Sequence, residues 1–287
     1  MAKKVLTAAQ AFDLRQLLHV ATLEALMASR RWQPGDLVFQ GGTSLHLAHG
    51  SPRLSEDLDF MVNSSLKLGA IQASILQRLQ STMTLPEGAK LSIKPAKDDH
   101  NPHAFDVSIG GENMIGGVRL KIELWKTDKQ ALDAIKATVA PIRTVGGLQT
   151  FVPTAELSEI YADKVFALAN RDRIKPRDVF DLHWLVNHHQ IKAITEDKMR
   201  VRLATYPDST PADWLAKAFD RRAALAQAAP AIAKDLKRWL PSSWPMDEEQ
   251  AAAMAQTAID ALGQGIDVMR VIRDGQEQTR DQEGPSR

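Results

Sequence analysis

The stretch from Leu37 to Val62 constrains this chain more than any other. Leu37-Val38-Phe39 is a short apolar run that meets Gly41-Gly42, and Thr43 to His49 then reads as a helix capped by Thr43 or Gly42. Asp57 to Val62 alternates with the period of a strand, Leu58, Phe60 and Val62 on one side and Asp57 and Asp59 on the other. A strand, a tight glycine turn, a helix and a second half-buried strand therefore succeed one another within a short span. The second strand shows apolar residues to a core and two carboxylates to its other face.

The remaining pattern extends this start into an α/β half. Phe12, Leu14, Leu17, Leu18, Ala21, Leu23 and Leu26 recur at helical spacing between Thr7 and Ala28, and Leu66 to Met83 reads as another helix. Strands are expected over Lys90–Lys94, Phe105–Ile109 and Gly117–Trp125, with Gly110-Gly111 and Asn113 forming a hairpin-like turn. After Pro141 the character changes. Helices are expected from Thr154 to Ala169 and from Pro176 to His188, followed by alanine-rich helical sequence broken at Pro207, Pro211, Pro230, Pro241 and Pro245. The division expected is an α/β core over 1–145, a helical domain over 146–273 and a disordered polar tail over 274–287. With 287 residues there is room for two ordinary domains.

Composition narrows the chemistry by exclusion. The chain has no cysteine, which rules out thiolate catalysis, disulfides and cysteine-ligated zinc and fits a reducing cytoplasm. A formal net charge of +1 means that any nucleic-acid contact comes from a local basic patch. No stretch approaches the roughly 18 uninterrupted apolar residues of a spanning helix, and the N-terminus lacks the apolar core of a signal peptide. A cytoplasmic protein with no membrane partner is expected.

Two glycines at a strand-to-helix turn let backbone approach a ligand, and the N–H groups and dipole of the helix start favour a phosphate, with the Ser44 hydroxyl as a further donor. A turn that merely starts a helix would look the same. The aspartates downstream change the weight. Asp57 and Asp59, two apart on a strand, share a face on the order of 7 Å apart. Side by side without a cation they raise each other's pKa, whereas hard divalent ions remove the repulsion and bridge the phosphates of a nucleoside triphosphate. Glu123, which shares its strand face with Arg119 and Lys121, is the candidate third metal ligand, and Asp106 on the neighbouring strand is its rival. Further on, Lys164 falls within the apolar stripe of Leu157, Tyr161 and Leu168, and Asp178 and Asp181 share a face with Leu182 and Leu185. Lys164 either reaches toward a triphosphate or joins these aspartates in a buried ion-pair network, and the two readings are compatible. Arg171, Arg173, Lys175 and Arg177 crowd the loop between the two helices.

Gly41-Gly42-Thr43-Ser44-Leu45 followed by Arg53-x-Ser55-x-Asp57-Leu58-Asp59-Phe60 resembles the AbiEii/AbiGii toxin family of nucleotidyltransferases. Glu159-Ile160-x-Ala162-x-Lys164, with Arg171 and then Arg177-Asp178-x-x-Asp181-Leu182, resembles the second conserved block of that family. The resemblance runs from about residue 37 to 186. It implies an α+β, DNA polymerase β-like nucleotidyltransferase core with a mixed sheet, followed by a helical C-terminal domain that completes the active site. It further implies a toxin of a type IV toxin–antitoxin pair or a phage-defence effector, with a cognate antitoxin. Members are reported to transfer nucleotides, some onto the 3′ end of tRNA, which stops translation. By position, Gly41, Gly42, Thr43, Ser44, Arg53, Ser55, Lys164 and Asp181 would bind the nucleotide. Asp57, Asp59, Lys164 and Asp178 would be catalytic, and Asp57, Asp59 and Glu123 would hold two Mg2+ ions. Glu123 departs from the family pattern, since aspartate is common at the third ligand of nucleotidyltransferases.

The reaction expected is transfer of NMP from an NTP to an acceptor hydroxyl, most readily that of tRNA. The acceptor is expected against the basic residues near 119–129 and 171–177. Nucleotidylation of a protein or small molecule, and a nucleotide-binding module without turnover, are the competing readings.

Overall fold

The computed structural model describes residues 4–95, 100–111, 114–115, 117–144, 147–191 and 193–283. The chain forms two compact units. The first comprises residues up to Gly50, Ser55–Asp133 and Ala137–Ala155, and the second Ser51–Leu54, Ala134–Lys136 and the chain from Glu156 onward.

The first unit contains β1 (Lys4–Val5), α1 (Ala8–Met27), β2 (Leu37–Gln40), α2 (Gly41–His49), β3 (Asp57–Asn63), α3 (Ile71–Thr82) and β4 (Lys90–Lys94). It continues with β5 (His103–Gly110), β6 (Met114–Ile115), β7 (Val118–Thr127), α4 (Lys129–Asp133), β8 (Ala137–Arg143) and β9 (Gln149–Ala155). Seven strands form a mixed sheet in the order β4-β5-β7-β3-β2-β9-β8, while β1 and β6 make a separate parallel pair. β3 runs parallel to β7 and antiparallel to β2, and β2 in turn runs parallel to β9. The alternation read in the sequence decides which face is covered. Leu58, Phe60 and Val62 of β3, Leu120, Ile122 and Leu124 of β7, and Phe105 and Val107 of β5 are buried in one core with Leu18 of α1 and Ile75 and Leu79 of α3. Burying each such side chain contributes about 1.5–3 kcal/mol relative to leaving it exposed. Phe39 and Phe60, register partners across β2 and β3, stack with ring centroids 4.8 Å apart. Helix α1 starts with a capping box, in which the Thr7 hydroxyl accepts from the Gln10 N–H and the Gln10 side chain accepts from the Thr7 N–H.

Several expectations are corrected here. Strands β8 and β9 are not expected from the sequence pattern. Pro141 in β8 disguises a strand, yet β8 lies at the sheet edge, where a missing N–H is tolerated. Since β9 pairs with β2, the first unit ends at Ala155 rather than at residue 145, and Thr154-Ala155 close a strand instead of opening a helix. Helix α3 starts at Ile71, not Leu66, because Asn63 Oδ1 accepts from the backbone and hydroxyl of Ser65 and holds the chain in turns after β3. Asn113 of the expected turn lies outside the described residues.

The second unit holds α5 (Leu157–Asn170), α6 (Pro176–His189), α7 (Glu196–Thr205), α8 (Pro211–Leu225), α9 (Ala229–Leu236) and α10 (Glu248–Glu283). Pro176, Pro211 and Pro230 lie in the first turns of α6, α8 and α9, so they begin helices where the lost N–H costs little. Helix α10 packs against α5, α6, α7, α8 and α9. Gly265 permits this: a Cβ there would lie 2.9 Å from Trp214 Cη2. Trp214 is fully buried, and its indole N–H donates to the Phe166 carbonyl over 3.1 Å. The tail expected from residue 274 is instead the end of α10 as far as Glu283, and residues 284–287 lie outside the description. Among the described residues no helix is long and apolar enough to cross a membrane.

Candidate active site

Helix α2 begins at Gly41, two residues before the sequence pattern places it, and its N-cap is Gln40 rather than Thr43 or Gly42. Gly41 has φ +77°, and a Cβ on it would lie 2.4 Å from Asp59 Oδ2. A glycine is thus required twice, for the left-handed turn and for the close approach of the helix start to the Asp59 carboxylate. The Gln40 side chain makes no capping hydrogen bond to the first turn of α2. Thr43 acts elsewhere, its hydroxyl donating to the Asp57 carbonyl and tying the helix to β3. Gly42, Thr43 and Ser44 are buried, and among the described residues Ser44 Oγ has no hydrogen-bond partner. A buried hydroxyl without a partner costs about 1–3 kcal/mol, a cost that a ligand at the helix start would offset.

The sheet register builds the acidic face. Asp59 lies directly across from Glu123 on β7 and from Gln40 on β2, while Asp57 lies across from Lys121, whose other neighbour is Asp106 on β5. Glu123 is therefore the immediate neighbour of Asp59, and Asp106 is two strands away from Asp57. This favours Glu123 over Asp106 as the third carboxylate of the face. Lys121 forms an ion pair with Glu123, and Arg119 pairs with Asp106 over 2.7 Å. The hydrogen bond from Lys121 to Glu123, aided by the charges of Glu123, Asp57 and Asp106, raises the Lys121 pKa above the usual lysine value. Ser55 is half-buried just before β3.

Four of the sequence-derived residues, Arg53, Lys164, Asp178 and Asp181, belong to the second unit and meet there in one buried network. Arg53 Nε lies 2.6 Å from Asp181 Oδ1 and its second guanidinium nitrogen 2.8 Å from Oδ2, a bidentate pair. Lys164 Nζ lies 2.7 Å from Asp178 Oδ1 and 2.8 Å from Asp181 Oδ2, and Arg171 Nε lies 2.6 Å from Asp178 Oδ2. Burial opposes every one of these charges, but the partners win: Lys164 is held above the usual lysine pKa by Asp178 and Asp181. Asp178 is held well below the carboxylate range by Lys164 and Arg171, and Asp181 below it by Arg53 and Lys164. The ion-pair reading of Lys164 is the one the geometry displays. A second buried group, Glu159 with Arg202 (3.0 Å) and Lys198, is one the sequence pattern does not reveal. Its partners are about forty residues apart and carry no local signal.

Residues 24–256 match the family model described as nucleotidyl transferase AbiEii toxin, type IV TA system. The chain belongs to this family. Solved structures agree at the level of fold. JHP933 from Helicobacter pylori superposes with a TM-score of 0.51 at 20% identity, over 95% of this chain and 100% of that one. MenT4, a nucleotidyltransferase toxin from Mycobacterium tuberculosis, gives 0.55 at 14% identity over 89% and 85%. No curated protein matches the chain. As an AbiEii-family nucleotidyltransferase the chain has the expected α+β fold, and nucleotidyltransferases generally use NTP and divalent metals. Among the described residues no three His, Asp or Glu side chains are already gathered as a metal cluster. The donor chemistry nevertheless fits Mg2+: oxygen ligands from Asp57, Asp59 and Glu123 share one face, and the Lys121 ammonium already sits against Glu123 as a cation.

Proposed function

We propose that this AbiEii-family chain transfers a nucleoside monophosphate from an NTP to an acceptor hydroxyl in a Mg2+-dependent reaction, with the 3′ end of tRNA as acceptor. Blocked translation would be the toxic outcome, in phage defence or otherwise, and a cognate type IV antitoxin would restrain it. One observation carries the reading: the α2 start, built at a left-handed position that only glycine can occupy, abuts the Asp59 carboxylate.

In this reading the first-turn N–H groups of α2 and the Ser44 hydroxyl take the triphosphate, where the helix dipole adds to their attraction. Asp57, Asp59 and Glu123 would hold the Mg2+ ions. When bound, such ions lower the pKa of the acceptor hydroxyl and stabilise the pyrophosphate leaving group. The acceptor oxygen forms a bond to the α-phosphorus as the bond from that phosphorus to pyrophosphate breaks. Lys164 is assigned a charged donor role toward phosphate. Asp178 and Asp181 act as positioning residues that keep its ammonium protonated, and Arg53 orients Asp181.

The test incubates the purified protein with Mg2+, total tRNA and each labelled NTP in turn, beside an Asp59→Ala variant. Label entering tRNA with wild type and not with the variant is the expected result. Label on protein or a small molecule would keep the transferase and replace the acceptor. Bound nucleotide without any product would favour a module that lacks turnover.

A further inference from the structure

The polar face of the first unit's sheet continues past the carboxylates toward the β4 edge. Register places Lys90 opposite Gly110, Ser92 opposite Ser108 and Lys94 opposite Asp106, while Ser108 faces Arg119 and Asp106 faces Lys121. The core-facing residues between them, Leu91, Val107, Ile109 and Leu120, are buried, so the polar ones all project from the same side as Asp57 and Asp59. A cleft of about 520 Å³ opens over this edge, with Lys90, Ser92, Ser108 and Arg119 in its walls. Gly110 and Gly111 also line it, and Gly111 packs so close to the Gly88 carbonyl that a Cβ would lie 2.3 Å from it. Charge changes sign along the face. Lys90, Lys94, Arg119 and Lys121 against Asp106 leave three positive charges beside the three negative ones of Asp57, Asp59 and Glu123. Arg119 keeps 68% of its side chain exposed even while paired with Asp106.

From this arrangement we infer that the β4–β5–β7 edge is the track for a single-stranded polynucleotide acceptor. Its phosphates lie on Lys90 and Arg119, its sugars and phosphates accept from Ser92 and Ser108, and its terminal hydroxyl is delivered to Asp57 and Asp59. Three strand spacings separate β4 from β3, roughly 14 Å, which suits a short unpaired end and is too little for a duplex to be read. The contacts are to backbone, so recognition along the track is indifferent to base sequence. Lys121 marks the boundary: it is the last cation before the carboxylate row and is paired with a member of it. This inference rests on the transfer reading for the direction of the strand, but the track itself is tested without transfer.

The experiment follows a 5′-fluorescein-labelled single-stranded oligoribonucleotide by anisotropy, with no NTP present, across a salt series. Wild type is compared with a Lys90→Ala/Arg119→Ala double variant and a charge-preserving Lys90→Arg/Arg119→Lys variant. Both positions are exposed, and thermal melts establish that the variants fold. The alanine variant is expected to bind at least tenfold more weakly at low salt, with a log–log salt slope shallower by roughly 1.4, two phosphate contacts at about 0.7 each. The charge-preserving variant keeps the wild-type slope. Unchanged affinity and slope in the folded alanine variant, or no binding by wild type, overturns the track. If the track binds RNA while wild type labels no RNA with any NTP, the track stands and the transfer reading is the one that fails.

Discussion

The two units of this chain each set aspartates close together, and they treat them in opposite ways. In the second unit Asp178 and Asp181 are buried and answered by Lys164, Arg53 and Arg171, so that two carboxylates meet three cations. On the sheet of the first unit Asp57, Asp59 and Glu123 stand half-buried on one face, with Lys121 paired to Glu123. The first arrangement is closed: removing either carboxylate leaves buried positive charge uncompensated. The second gathers three carboxylates on a half-buried face, beside a glycine turn that admits no side chain. Equal residue types therefore stand in different settings: in one place the carboxylates are tied to buried cations, in the other they line a half-buried face suited to a ligand.

Exchanging a carboxylate for an amide on each side sharpens the contrast, and the largest effect is expected at Asp59. Asp59→Asn keeps the shape beside Gly41 and removes the charge. Transfer activity should fall by about a thousandfold or more, the scale seen when a preorganised electrostatic group is lost. Thermal stability should hold or rise, because a like charge beside Asp57 and Glu123 has gone. Parallel measurement of labelled-NTP transfer and thermal melting checks both. A variant that melts much earlier than wild type would show that Asp59 serves the fold, and the contrast would collapse.

The converse substitution comes next. Asp181→Ala strands the buried Arg53 and takes one of the two carboxylates from Lys164, and urea unfolding should show a loss of about 3–5 kcal/mol. Truncating Lys164 and Asp181 together should cost less than the two single losses added, since the residues share one network. Strict additivity would mean that the network is only a set of neighbours.

Much of this is legible in the residues alone. Alternation in Asp57–Val62 and Arg119–Trp125 sets the buried face and puts the carboxylates on the other, because a strand's period of two leaves no choice once one face is apolar. Lys164 announces itself as a charge in an apolar stripe. The features that stay concealed are long-range or depend on backbone detail. The Arg53–Asp181 pair spans 128 positions, and nothing local to either residue names its partner. Strands β8 and β9 are hidden by Pro141 and Pro153, whose positions make sense only after the sheet order is known. The reason for Gly41 lies likewise in a residue on the next strand, the Asp59 carboxylate it must not touch.

The smallest effect separates the two regions by pH. Asp178 and Asp181 titrate below their ordinary range in the folded chain, so on acidification the unfolded chain takes up protons first. Their contribution is full above the unfolded carboxylate value of about 3.9 and is lost progressively as the pH falls toward the depressed folded values. Lys164, held above its usual value, adds stability that is full at neutral pH and is lost only as alkaline pH passes its raised folded pKa. Between these limits the network should contribute a flat plateau. Urea midpoints taken from neutral pH down to about pH 3 should therefore hold and then drop. The drop should be shallower in Asp178→Asn, which starts less stable and has one depressed carboxylate fewer. Asp59→Asn should keep this drop, because both depressed carboxylates of the network remain. An acid limb flattened equally by both substitutions would place the two carboxylate groups in the same role.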